Sequence, residues 1–187
     1  MLSKEKIKYI LITNFPPYKI GENYGKIMLT IDKMPPDARV WVYQSSRIFT
    51  DTEEISIKEQ GKNFISTWTS HGAEVLASFD IIYNHFIVIS IDENNALISG
   101  CGLDKGLHFI KKLENLFNIT LLDRLQVAYR KEDEILICHL SEFEKLAQQK
   151  IIGKSTIVFN NMIASKNAFD TEWEVTLEKS WQNKVLQ

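Results

Sequence analysis

Two periods run through the pattern of apolar and polar positions, and the places where one gives way to the other mark the elements. Arg39-Val-Trp-Val-Tyr-Gln44, bounded by Pro35-Pro36-Asp37, is a β-branched and aromatic run and predicts a strand. Thr50-Asp-Thr-Glu53 has the form of a capping box, in which the hydroxyl accepts from the third amide and the glutamate reaches back. The helix it starts carries Ile57, Gly61, Phe64, Ile65 and Trp68 on one face, the spacing of a helix packed on a sheet. It is expected to end before Gly72 in a left-handed cap.

Leu76 to Tyr83 alternates, Asn84-His85 predicts a tight turn, and Phe86 to Asp92 returns as a more apolar, more central strand. Ser99-Gly-Cys-Gly-Leu-Asp104 leads into a second helix with Leu103, Leu107, Ile110, Leu113 and Phe117 inward. Leu121 to Arg130 alternates again, and a turn at Lys131-Glu-Asp133 leads to Ile135-Leu-Ile-Cys-His139. Ser141-Glu-Phe-Glu144 repeats the capping-box pattern before a short third helix. Thr156 to Phe159 and Trp173 to Leu177 either add strands or wrap the sheet.

Strand, helix, strand, strand, helix, strand is the order of the ferredoxin-like split βαβ fold, an α+β class with an antiparallel βαββαβ sheet. Here it carries an added hairpin strand and further C-terminal elements. The chain has 187 residues, against a prior of roughly 150 per domain, so a single α+β domain is expected over 28–187. Residues 1–27 hold Pro16-Pro17, Gly21 and Gly25 around one apolar patch, Tyr9 to Ile12, and read as an N-terminal arm or extension.

That topology gathers distant residues on one rim: the end of the first helix (Trp68-Thr-Ser-His71-Gly72), the start of the second (Ser99 to Asp104), Tyr129-Arg130, and Arg39 from the first strand. Cys101 then sits at a helix N-terminus between Gly100 and Gly102, where amides and the helix dipole favour thiolate. His71 is the candidate base or general acid beside it, which makes Cys101 and His71 the candidate catalytic pair. The same amides alternatively receive a small anion such as phosphate or carboxylate, with Ser99, Gly100, Asp104, Arg130 and Arg39 as candidate ligand-binding residues. Each residue also has a purely structural reading. A free cysteine often behaves as a small buried hydrophobe. Asp104 serves as a first-turn acid with His108 one turn on, and an imidazolium at His71 suits a helix C-terminus.

Composition narrows the functional classes. The 22 basic and 24 acidic side chains give a net charge of −2, without global attraction for nucleic-acid backbones. Trp41 and Tyr43 sit where RNA-binding sheets carry stacking aromatics, but the partner strand lacks the matching basic-Gly-Phe pattern. No apolar run approaches the roughly twenty residues of a membrane span. The N-terminus shows neither an adequate apolar region nor a small-residue cleavage site, so a cytoplasmic location with Cys101 and Cys138 as reduced thiols is expected. Histidines 71, 85, 108 and 139 lack metal-ligand spacing, and Cys138-His139 point to opposite strand faces, so no metal or cofactor is expected.

Arg39-Val-Trp-Val-Tyr-Gln-Ser-Ser-Arg47, Trp68-Thr-Ser-His-Gly72, Tyr83-Asn-His-Phe-Ile87, Ser99 to Asp104 and Val158-Phe-Asn-Asn161 resemble a family of small bacteroidete proteins that often carry the label "ABC transporter ATPase". The resemblance spans roughly 28–186. In that family the second helix begins with a Ser-Gly-Cys-Ser-Ile-Asp pattern; Ser99, Gly100, Cys101, Asp104, His108 and Phe109 fit it, while Gly102, Leu103 and Gly106 depart. The chain has neither a phosphate-cradling Gly-x-x-x-x-Gly-Lys loop nor a Leu-Ser-Gly-Gly-Gln signature, so the ATPase label finds no support. The resemblance implies a shared site without naming its chemistry. The leading functional class is a ligand-binding or assembly module, able to form a homodimer through an open sheet face bearing Trp41, Tyr43 and Ile82. The alternative is a cysteine-dependent enzyme using Cys101 with His71.

Overall fold

The computed structural model describes residues 29–70, 72–94 and 97–186; the arm expected over residues 1–27 lies outside them, as does His71. The elements run β1 (Arg39–Gln44), α1 (Asp51–Thr67), β2 (Thr69–Ser70), β3 (Ala73–Glu74), β4 (Leu76–Ile82), β5 (Phe86–Asp92), α2 (Gly100–Phe117), β6 (Gln126–Lys131), β7 (Glu134–His139), α3 (Leu140–Gln148), β8 (Ile157–Phe159), α4 (Lys166–Glu172) and β9 (Glu174–Thr176).

β5 organises them. Phe86-Ile-Val-Ile-Ser-Ile-Asp92 is apolar on both faces, and every residue of the strand is buried. It pairs antiparallel with β1 on one side and β4 on the other, with Trp41 and Phe79 flanking Ile89. One face, carrying Trp41, Tyr43, Phe79, Ile87, Ile89 and Ile91, packs on Ile57 and Ile65 of α1 and Phe109, Ile110 and Leu113 of α2. The other, carrying Val40, Val42, Phe86 and Val88, packs on Ala128, Phe159, Ile163 and Trp173. Those last residues line a second antiparallel sheet, ordered β7-β6-β8-β9, and the segments around it. Its far side, Val127, Tyr129 and Val158, is covered by Phe143 of α3 together with Ile152 and Leu177. The chain is therefore a mixed α+β protein: helices, sheet, sheet, helix.

Two expectations change here. The first three strands stand in the order a split βαβ unit requires, but β6 pairs with β7 and β8 rather than with β1. The outer edge of β1 is already occupied: Val40 N–H donates to the Ala164 carbonyl (3.1 Å), and Lys166 N–H donates to that of Ala38 (2.8 Å). The sheet face expected to be open for a homodimer is covered by the chain's own second sheet. Trp41 and Tyr43 lie on the helix side and Ile82 on the other, so the three share no face.

The helix ends follow from local chemistry. Thr50 and Glu53 complete the capping box of α1. Arg47 grips the Glu53 carboxylate at 2.7 and 2.8 Å. This charge-assisted pair, then the Thr50 amide, lowers the Glu53 carboxyl to about 2. Gly72, expected as a helix cap, is instead the left-handed turn (φ +81°) of the small β2–β3 hairpin, because α1 stops at Thr67. The cap of α3 is His139, whose Nδ1 accepts from Ser141 N–H, so the helix starts upstream of the capping box read at Ser141. The β4–β5 turn centres on Tyr83 and Asn84, both left-handed, rather than on Asn84-His85.

Gly61 marks the closest approach of α1 to the sheet: a Cβ there would lie 2.2 Å from Phe79 Cδ1. Alanine gains about 1 kcal/mol in helix propensity over glycine, whereas overpacking a core costs about 1–3 kcal/mol. Phe79 is buried between Ile89 of β5 and Phe109 of α2, so the second effect is expected to win. Gly61→Ala should lower the urea-unfolding free energy by about 1–2 kcal/mol; an unchanged or higher midpoint would mean the Phe79 ring gives way freely.

Candidate functional site

The end of α1 meets the start of α2 through Trp68 and Ser70. Trp68 Nε1–H donates to the Gly102 carbonyl at 3.0 Å, and the buried indole lies flat enough under α2 that a Cβ at Gly106 would stand 3.2 Å from it. The missing side chain at Gly106 admits the ring, while the one at Gly102 leaves room for Ile98, which a Cβ there would meet at 2.8 Å. Ser70 Oγ accepts from Ser99 N–H (2.8 Å) and donates to the Leu97 carbonyl (3.1 Å), so the β2 strand holds the segment that leads into α2. Ser99 is then the N-cap, accepting from Gly102 N–H at 3.1 Å.

Beside Trp68 lies a cavity of about 230 Å³ between β1 and α2, walled by Trp41, Tyr43, Trp68, Ile89, Leu103 and Leu107, with Arg39 and Asp104 on its lining. Arg39 stacks over the Trp41 ring at 4.8 Å, and its nearest carboxylate, Glu93, stands at 4.0 Å. No hydrogen bond or ion pair engages the Asp104 carboxylate among the described residues. Asp104 lies one residue beyond the first turn of α2, and His108 Nδ1 meets its backbone carbonyl (2.7 Å) rather than its side chain. A carbonyl only accepts, so that nitrogen carries the proton. Burial pushes the Tyr43 phenol up to about 12, which keeps it neutral.

The predicted rim is thus brought together in part. Ser99, Gly100, Cys101 and Asp104 stand on the first turns of α2, close to β2, and Arg39 shares a cavity with Asp104. Cys101 is exposed. Arg130 is elsewhere: on β6 in the second sheet, its Nε donates to Glu174 at 2.8 Å, and its guanidinium lies over the Tyr83 ring at 4.7 Å. The reason is the changed partner of β6. Tyr83 Oη also donates to Glu174 (2.6 Å), and a hollow of about 530 Å³ opens between this cluster, His85 and the β6–β7 turn.

Sequence reading missed the cavity walls, although a glycine inside a helix, as at Gly106, signals a close neighbour. It also missed the Tyr83–Arg130–Glu174 cluster, whose members lie far apart along the chain. Comparison of the sequence with protein-family models and curated proteins, and of the fold with solved structures, finds no match. Among the described residues no helix is long and apolar enough to cross a membrane.

The two thiols differ in environment, because burial and then Glu142 push Cys138 up while Cys101 is exposed. At pH 8 an alkylating reagent should modify Cys101 first, read by mass spectrometry; equal rates would place Cys138 at the surface.

His85 is buried, its Nδ1 has no partner, and burial lowers its affinity for a proton. With the folded value below the unfolded one near 6.5, its contribution is full above that pH and is lost as the unfolded chain takes up a proton below it. The stability gap between wild type and His85→Asn should therefore narrow from pH 7.5 to 5.5; a constant gap would show that the ring titrates alike in both states.

Proposed function

We propose that this chain is a ligand-binding module, built on a ferredoxin-like βαββα half closed by a second sheet, and that the cavity beside Trp68 is its site. One observation carries the reading. Arg39 from β1 and Asp104 from α2, opposite charges without a close partner, line the same small space among Trp41, Tyr43 and Trp68. Aromatic walls with a few convergent polar groups are the ordinary make-up of a small-molecule site. At about 230 Å³ the space suits a molecule of amino-acid size, with an apolar body and both an acidic and an amino group. The acid would meet Arg39 and the amine Asp104.

Several segments that carry the resemblance to the bacteroidete family converge here: Arg39 to Gln44 forms β1, Trp68 walls the cavity, and Ser99 to Asp104 starts α2. A cysteine-dependent reaction has less behind it, since Cys101 is absent from the cavity lining.

Thermal unfolding of the whole chain with tryptophan or phenylalanine, and with the matching amine-only and acid-only analogues, tests the proposal. The zwitterion should raise the midpoint more than either half-molecule, as ligand binding to the native state requires. Arg39→Gln and Asp104→Asn should each abolish that difference. If neither the zwitterions nor their halves shift the midpoint, the cavity is packing space and the reading fails.

A further inference from the structure

A second hollow, of about 710 Å³, runs between α1 and α2 and shares only Trp68 with the cavity beside β1. Its floor is aromatic. The Phe64 and Phe109 rings stack at 4.3 Å and 1° from parallel, and Trp68 tilts against Phe64 at 4.7 Å. Its α2 wall is basic: Lys105, His108 and Lys112 follow one another at helical spacing on the same side. The α1 wall supplies neutral Gln60, Asn63 and Thr67, and among the described residues no carboxylate lines the hollow.

Among the described residues no carboxylate neutralises this charge. Lys105 Nζ donates to the Thr69 carbonyl and hydroxyl at 3.3 Å each, both uncharged acceptors. No ion pair engages Lys112 among the described residues. Lys105 and Lys112 lie two turns apart on one side of α2, and a basic row over an apolar floor is complementary to one kind of molecule.

We infer that this groove binds a free amphipathic organic anion. Its ring or chain lies on Phe64, Phe109 and Trp68, and its carboxylate, sulfonate or phosphate meets Lys105 and Lys112, with His108 between them. The volume falls within the range of about 300–1,000 Å³ usual for ligand sites. The inference does not depend on the zwitterion site, because neither Arg39 nor Asp104 lines this groove.

Isothermal titration of the full chain with 8-anilino-1-naphthalenesulfonate tests it, beside uncharged N-phenyl-1-naphthylamine and sedimentation with phosphatidylglycerol vesicles. The sulfonate should bind at one site and the neutral analogue more weakly. Lys105→Glu/Lys112→Glu should weaken the sulfonate by about tenfold or more, the loss of one or two charge-assisted contacts. Added salt should act in the same direction. Lys105→Gln/Lys112→Gln answers the same question if the charge-reversed protein fails to fold. Equal binding of the neutral analogue, an affinity indifferent to both lysine variants, or vesicle binding without binding of the free sulfonate would each overturn the inference.

Discussion

β5 cannot be left with either face in water, and most of the molecule answers to that constraint. Its seven buried residues place Ile87, Ile89 and Ile91 on one side and Phe86 and Val88 on the other. Fully burying a large apolar side chain is worth about 1.5–3 kcal/mol, so exposing either face would forfeit several such contributions in a protein of marginal stability. The helices cover the first face. Covering the second takes the C-terminal third of the chain, which forms a sheet of its own and needs α3 to cover it in turn. A sheet covered on both sides within one chain leaves neither of its own faces open for self-association.

The same constraint determines where ligands have room. On the helix side, α1 and α2 meet over the middle of the sheet, with Gly61 against Phe79 and Gly106 against Trp68. The first is closer than any side chain allows (2.2 Å) and the second is tight (3.2 Å), so the helices come down on the sheet at those points. Space remains to either side of Trp68: a small aromatic cavity toward β1, and a larger, more open groove between the helices. The indole hydrogen bond to Gly102 fixes the wall between them. The ring's apolar faces and single donor suit that role, since the donor is satisfied by the helix and nothing polar remains to be solvated.

How much of this was legible follows the reach of each interaction. The capping box at Thr50, the strand β1 and the hairpin of β4 and β5 depend on residues close in sequence, and they were readable there. The meeting of Trp68 to Ser70 with Ser99 to Gly102 was readable one step further, from the order of elements. The partner of β6 was not, because it depends on residues 164–166 taking the edge of β1 first. Both Ser141 and His139 carry an acceptor able to cap α3, and a sequence pattern does not decide between them. His71 falls outside the described residues, so its relation to Cys101 stays an expectation of the sequence.

Two arginines that sequence reading placed at one site show why chemistry must be taken from the surroundings. Arg130 is committed: Glu174 accepts from it at 2.8 Å, the same carboxylate accepts from Tyr83, and the guanidinium rests over Tyr83 and Phe159. Tyr83 holds a left-handed backbone, uncommon for a bulky residue, in the turn that joins β4 to β5. The cluster thus ties a strained turn of the first sheet to two strands of the second. A ligand acid at Arg130 would share the guanidinium with Glu174, whose half-buried carboxylate already neutralises its charge. Arg39 faces no such competitor, since Glu93 is at the limit of an ion pair and the Trp41 ring holds the guanidinium without neutralising it. Of the two, Arg39 has the less neutralised charge to offer a ligand.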